Sequence, residues 1–368
     1  MSTDGSQSTP PAVPHRTRVV QLDAGQDRIR NSDTQTIVAM PGRYAPRAVP
    51  FEALFFAHYP AIRSTCRGLA DPGVAVIAVH IPTCRLAGRL WLRAQVGRPA
   101  TAIVGRHSRA DLLLTGDRGM SLRHLALVLH PLRSWDGHDA RFTVLDLRTS
   151  GAFHDETGRH LEGVRCEGPA MLSSGDYALF FLQTGDATDW PPLAGDAWAM
   201  LPQRVYLDER GAEPDRWQRR RANRRAPRMD HEEAAGLSRV TAIRGPVGTD
   251  EKLIREGEEP LGALNVLTAE SARRVRVGPA ALSRGILLGR YSRCDVADML
   301  DDDCISRSHL LLLQVEGKVY AIDTASSHGS YIDGGGRQPQ EFRVHALTGE
   351  TTIVLADESA VLRWHPAR

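Results

Sequence analysis

The stretch GRYSRCDVADMLDDDCISRSHLLLL, residues 289–313, decides how the rest of the chain is read. It opens on a glycine-arginine turn, crosses an acidic loop, and reaches a Ser-Arg-Ser-His step that runs straight into an apolar segment. Turns of this kind would bring Arg290, Ser306, Arg307 and His309 close together at one end of a strand pair. A weaker copy, GRHSRADLLLTGDRGMSLRHLALVL, spans 105–129. Its opening GRHSRAD agrees with GRYSRCD at five of seven positions, and Ser121 follows Gly105 by 16 residues where Ser306 follows Gly289 by 17. A constellation written twice marks a repeated module.

Working outward, both copies sit among short apolar or alternating runs bounded by turn residues. The first series is GVAVIAVHI, GRLWLRAQV, TAIVG, LALVLHPL, RFTVLDL and YALFFLQ; the second begins near 238 and runs through GILLGR, HLLLLQV, KVYAID and TTIVLA to AVLRWH. Strands of this length and spacing predict β-sandwiches. The expected fold is therefore all-β, two antiparallel sandwiches in tandem. Phe51, Leu54, Phe55, Tyr59 and Ile62 fall at helical spacing, so a short helical lead-in is expected over 49–72 despite Pro60. The modules are placed at 73–184 and 237–368. Residues 1–48, rich in Ser, Thr, Pro, Gly and charge, read as a disordered tail, and 185–236 as a Pro/Arg-rich linker.

Composition sets the class. With 42% hydrophobic and 24% charged residues the chain can bury a core in each half, and a net charge of +2 gives no direction to its partners. Five cysteines lack CxxC spacing, and neither a leader-like apolar region nor a run near 20 apolar residues occurs, so a reduced, cytoplasmic protein is expected. Phosphate loops of nucleotide-binding enzymes and His/Cys/Asp clusters at metal spacing are missing from the sequence. No catalytic residue, cofactor or metal is assigned.

The chemistry of the repeated cluster points to an oxyanion. An arginine offers a fixed charge and a planar fork of donors, serine hydroxyls add neutral hydrogen bonds, and backbone N–H groups of Gly/Ser turns add more. Together, GRYSRCDV, ISRSHLLLL and YAIDTASSHGSYI resemble the core signature of the forkhead-associated (FHA) domain, over about 262–368 well and 80–184 less well. The resemblance implies an eleven-stranded sandwich that binds phosphothreonine peptides through its loops. It implies that Arg290 contacts the phosphate or adjacent backbone, that Ser306 hydrogen-bonds a phosphate oxygen, and that Arg307 faces the ligand. Ser327 and His328 would read the peptide backbone, with Gly289, His309 and Gly329 architectural. Most family members carry asparagine where this chain has His328; a protonated histidine there would strengthen phosphate binding below about pH 6.5. In the first copy Arg106 and Ser121 form a second possible pocket, with Gly105, His124 and Gly151 as structural counterparts. Leu122 follows the serine there, and TSGAF replaces the polar turn.

The resemblance makes the chain an adaptor for phosphothreonine-containing proteins, namely Ser/Thr kinases or their substrates. Thr34, with Ile37 three places on, could let a phosphorylated tail occupy the protein's own pocket. Two alternatives stand beside this reading. One is a constitutive, phosphate-independent docking scaffold; the other is nucleic-acid contact through RWQRRRANRRAPR at 216–228.

Overall fold

The computed structural model describes residues 18–19, 49–132, 140–149, 151–185, 190–209, 237–248, 251–333 and 338–367. The expectations placed on Thr34 and on the 216–228 arginine run lie outside these residues, as does the tail apart from Arg18–Val19. Those two residues pair in parallel with Val205–Tyr206.

Both modules are β-sandwiches. In the first, one sheet runs Arg18–Val19, Gln203–Asp208, Leu237–Ile243, Gly163–Glu167, Arg141–Asp146, Leu125–Leu129, Ala100–Gly105, Leu112–Leu113. The facing sheet is built around Gly73–His80 and Tyr177–Thr184. Val74, Val76, Leu127, Val144, Phe142 and Phe181 fill the space between them. In the second module a sheet centred on Gly262–Leu267 and Ala360–Pro366 faces one made of Ile286–Leu288, Leu310–Val315, Lys318–Asp323 and Val344–Ala346. Leu264, Leu288, Leu310, Leu312, Ile353 and Trp364 form that core.

Three strands read as unbroken apolar runs, and each is buried on both faces. In Gly73–His80, Val74, Val76 and Ala78 enter the sandwich core while Ala75, Ile77 and Val79 meet the helix Phe51–Arg67. That helix uses the five residues picked out by spacing, Phe51, Leu54, Phe55, Tyr59 and Ile62, and Pro60 is accommodated within it. In Leu125–Leu129 the odd-numbered leucines face their own core, and Ala126 and Val128 face away from it. Leu310–Val315 repeats this, with Leu310 and Leu312 inward and Leu311 and Leu313 outward. Side chains alternate between faces of a strand, so a run without polar interruption requires cover on both.

The two outward faces cover each other. Ile103, Ala126, Val128, Leu145 and Ile243 of the first module pack against Leu287, Leu311, Leu313, Tyr320 and Ile322 of the second in one buried cluster. Each large side chain removed from water contributes about 1.5–3 kcal/mol, so the modules form one unit rather than beads on a tether.

The structure differs from the expected module boundary. Leu237–Ile243, read as the opening strand of the second sandwich, is hydrogen-bonded antiparallel to Gly163–Glu167 and parallel to Gln203–Asp208. Val240 and Ala242 enter the first core. The strand is bounded by the Pro/Arg-rich segment, so its composition pointed forward while its pairing runs backward.

Candidate functional site

In the second module the glycine-arginine turn and the serine step are laced by backbone bonds. Arg290 N–H donates to Ser306 O (3.2 Å) and Tyr291 N–H to Arg307 O (3.1 Å). The turn must approach so closely that a Cβ on Gly289 would collide with the Arg307 carbonyl. Asp295 caps the turn from inside by accepting the Leu287 N–H at 3.0 Å, and burial pushes its carboxyl up to about 7. His309, fully buried, braces the floor. Its Nδ1 accepts from Ser306 N–H (3.1 Å) and its Nε2 donates to Gly329 O (3.0 Å), which fixes the neutral tautomer. Burial lowers its pKa and so keeps it neutral.

The serine loop is tied at several points. Asp323 accepts from Ser326 N–H (2.8 Å), Ser326 Oγ–H (2.6 Å) and Ser330 Oγ–H (2.7 Å). Ser327 N–H donates to Ser306 Oγ at 3.0 Å, joining the two loops at the candidate pocket and leaving the Ser306 hydroxyl hydrogen to donate elsewhere. His328 is exposed, and its Nδ1 donates to Cys304 O (2.9 Å), which leaves Nε2 for a ligand. Gly329 has φ +79°, a backbone state natural to glycine. Arg290 reaches the same end of the sandwich. Its guanidinium pairs with Asp303 at 3.4 Å, a residue 97% exposed, and its Nε is buried without a partner. An ion pair this open holds by about 1 kcal/mol or less, so an incoming dianion can displace it. Arg290, Ser306, Ser327 and His328 are thus brought together, whereas the exposed Arg307 side chain lines a cleft against the first module.

The first copy repeats this frame. Arg106 N–H donates to Ser121 O (3.1 Å), and a Cβ on Gly105 would strike the Leu122 carbonyl. His124 accepts from Ser121 N–H (3.1 Å) and donates to Ala152 O (3.0 Å). Gly151 packs beside that ring. Asp146 takes the role of Asp323, accepting from Thr149 N–H at 3.0 Å. Arg148 and Ala325 even share the left-handed backbone, φ 60° and 62°.

The copies also grip each other's loops, which the sequence reading did not foresee. Arg109 Nη1 donates to Ser326 O (2.6 Å) and Ser327 O (2.5 Å). Arg123, 7% exposed, donates from Nε and Nη2 to Ala325 O (2.9 and 2.6 Å) and from Nη2 to Ser327 Oγ (3.3 Å). Burial, with Arg109, Arg307 and Arg343 nearby, lowers its pKa to about 10 against the opposing pull of Asp323. In the return direction Arg293 Nη1 donates to Arg148 O (3.4 Å) and Ser308 Oγ to Leu147 O (3.5 Å). Arg343 pairs with Asp111. The signal was one residue wide. SRSH in one copy stands as SLRH in the other, so the position before the histidine, which meets the opposite module in both copies, is Ser308 bonded to Leu147 O in one and Arg123 bonded to Ala325 O in the other.

Among the described residues no group of His, Cys, Asp and Glu could hold a metal ion. The five cysteines are unpaired. No described helix is long and apolar enough to cross a membrane.

Residues 286–356 match the family model of the FHA domain. No curated protein sequence matches the chain. Similar solved structures include FHA-1 of Rv1747 from Mycobacterium tuberculosis, at 25% identity over 30% of this chain and 100% of that one, TM-score 0.23. The FHA domain of CT664 from Chlamydia trachomatis matches at 16% identity over 29% and 98%, TM-score 0.24. EmbR of Mycobacterium tuberculosis, solved with a low-affinity phosphopeptide, matches at 18% identity over 32% and 27%, TM-score 0.24.

Proposed function

We propose that this chain, which carries an FHA domain over residues 286–356, is an adaptor that binds phosphothreonine-containing proteins through the loops of its C-terminal module and so couples them to Ser/Thr kinase activity. The carrying observation is the junction at Ser306. Its Oγ accepts the Ser327 N–H, which leaves its own hydrogen free to donate to an occupant of the space between the two loops. Arg290 supplies the charge and exchanges Asp303 for the phosphate, a charge-assisted bond about twice as strong as a neutral one. His328 offers Nε2 to the peptide backbone in place of an amide side chain. Ser327, held by Ser306 and by Arg109, fixes the turn that the peptide lies along.

The test is calorimetric titration of the full chain with a degenerate phosphothreonine peptide pool, its unphosphorylated counterpart, and the Ser306→Ala and Arg290→Ala variants. Binding confined to the phosphorylated pool and lost in both variants is expected. Equal binding of both pools would make the chain a phosphate-independent scaffold.

A further inference from the structure

The two sandwiches differ on one matching face. In the first, the outer side of the sheet built on Gly73–His80 and Tyr177–Thr184 is covered by the helix Phe51–Arg67. In the second, the corresponding sheet is centred on Gly262–Leu267 and Ala360–Pro366, and among the described residues no buried apolar cluster covers its outer side. That sheet ends on the strand Ala272–Val277, sequence ARRVRV, which pairs with Gly262–Leu267 and has no second strand beside it. Alternation divides its residues. Val275 and Val277 pack on the core, so Arg274 and Arg276 stand on the outer face, where both are exposed.

The backbone alternates as well. Thr268 N–H donates to Ser271 O (2.9 Å) and Leu261 N–H to Val277 O (2.9 Å), so the odd-numbered residues turn their peptide groups toward the neighbouring strand. Ala272, Arg274 and Arg276 therefore turn theirs to the open edge. Gly278, next in that series, gives its N–H to Leu253 O (2.8 Å), which closes the edge at that end. The charge here is unbalanced. Arg273 pairs with Asp298 (3.2 Å) and His365 with Glu350 (3.3 Å), whereas Arg274, Arg276 and Arg363 form no ion pair among the described residues. Arg274 and Arg363 lie opposite Asn265 on either side, and Arg276 lies opposite Ala263, so the three side chains share one face.

We propose that Ala272–Val277 is a docking edge for an extended acidic segment of a partner protein, which joins the sheet as an antiparallel strand with carboxylates at alternate positions opposite Arg274 and Arg276. The added backbone satisfies the open N–H and C=O groups, and the carboxylates meet the unpaired guanidinium groups. The residue between the two acids falls beside the half-buried Val275 and is apolar. A second copy of this chain is a poor occupant, because pairing the edge with itself sets arginine against arginine. Charge on an edge strand repels its own kind, and the same charge selects a strand of opposite sign. None of this rests on the Ser306 pocket.

The test is fluorescence anisotropy of a labelled, capped peptide, STVEVEVTS, titrated with the full chain. Binding is expected to weaken as NaCl is raised and to fall about tenfold or more in the double variant Arg274→Glu, Arg276→Glu. Both side chains are exposed, so the variant keeps its Tm, and a phosphothreonine peptide run alongside reports the other pocket separately. The lysine counterpart STVKVKVTS should bind the double variant and not the wild type. A peptide N-methylated at both glutamates keeps its charge and loses two N–H donors, and should bind the wild type about tenfold more weakly or worse. Equal affinity for the methylated peptide would reduce the edge to a patch of charge and overturn the proposal. Failure of the wild type to bind STVEVEVTS at about 1 mM, or binding that survives the double variant, would do the same. Tighter binding of a single-stranded oligonucleotide than of the peptide would assign the arginines to nucleic acid instead.

Discussion

Arg123 belongs to one module and holds the loop of the other, so replacing it tests whether the two act together. Arg123→Met keeps the length and apolar stem of the side chain while removing two bonds to Ala325 O and one to Ser327 Oγ. Hydrogen bonds from a charged donor contribute about 1.5–3 kcal/mol each, but two of these share an acceptor, so a stability loss of about 2–4 kcal/mol is expected. Part of that loss is the Ala325 carbonyl left buried without this partner. The loop keeps its ties to Asp323 and Ser306, so only a fraction reaches the pocket. We expect phosphopeptide affinity to drop about tenfold, or roughly 1.4 kcal/mol. Urea unfolding measures the first quantity and calorimetry, at a concentration where the variant is folded, the second. Affinity equal to wild type together with the predicted destabilisation would refute the coupling and leave Arg123 as an architectural brace.

Three further outcomes follow from the same geometry. Leu311→Ala should cost about 3 kcal/mol, since the side chain is fully buried at the interface, and chemical unfolding of the parent should show one transition for both modules; two separated transitions would contradict a shared core. Asp295, whose pKa in the folded protein is raised by burial from the ordinary carboxylate range to about 7, contributes stability that is complete below about pH 4 and lost as pH rises to about 7. The change is about 4 kcal/mol, and Asp295→Asn, which keeps an acceptor for Leu287 N–H, should flatten the urea midpoint between pH 5 and pH 8. Gly289→Ala should destabilise by about 2 kcal/mol or more by forcing the glycine turn off the Arg307 carbonyl, read as a lowered Tm, with no such effect from Ala at the open position Gly349.

The sequence revealed those features whose causes are local. Helical spacing in Phe51–Ile62 identified a helix with the correct buried face, and the Gly-Arg, Ser-x-x-His and serine-turn signatures marked loops that the structure does lace together at one end of a sandwich. What was missed depends on partners distant in the chain. LALVL and LLLL carried the signal of a doubly buried strand, but a run of leucines does not say what lies on its second face. The apolar pattern of Leu237–Ile243 is satisfied equally well by either sheet, and only the long-range pairing with Gly163–Glu167 decides between them. Arg307 and Arg123 look equivalent in composition and differ by one position; both line the cleft between the modules, but Arg123 is buried on Ala325 O while Arg307 stays exposed. The direction of a side chain at the mouth of a loop is set by the backbone that tertiary contacts impose, so the cleft they share could not be read from spacing.

That pairing of Leu237–Ile243 into the first sheet fixes an order of events during synthesis. Growing from its N-terminus, the chain cannot complete its first sandwich until residue 243 has emerged, because the strand between Gly163–Glu167 and Gln203–Asp208 is not yet made. From then until Ile322 emerges, 79 residues later, the face bearing Ile103, Ala126, Val128 and Leu145 has no finished cover. At about 5–20 residues per second this interval lasts about 4–16 s. During it the nascent protein presents a flat apolar sheet to its surroundings, and a neighbouring chain on the same message at the same stage presents an identical one. The yield of the folded tandem is therefore set by a race between elongation and encounter, and slowing translation over 244–322 should favour the mispaired product.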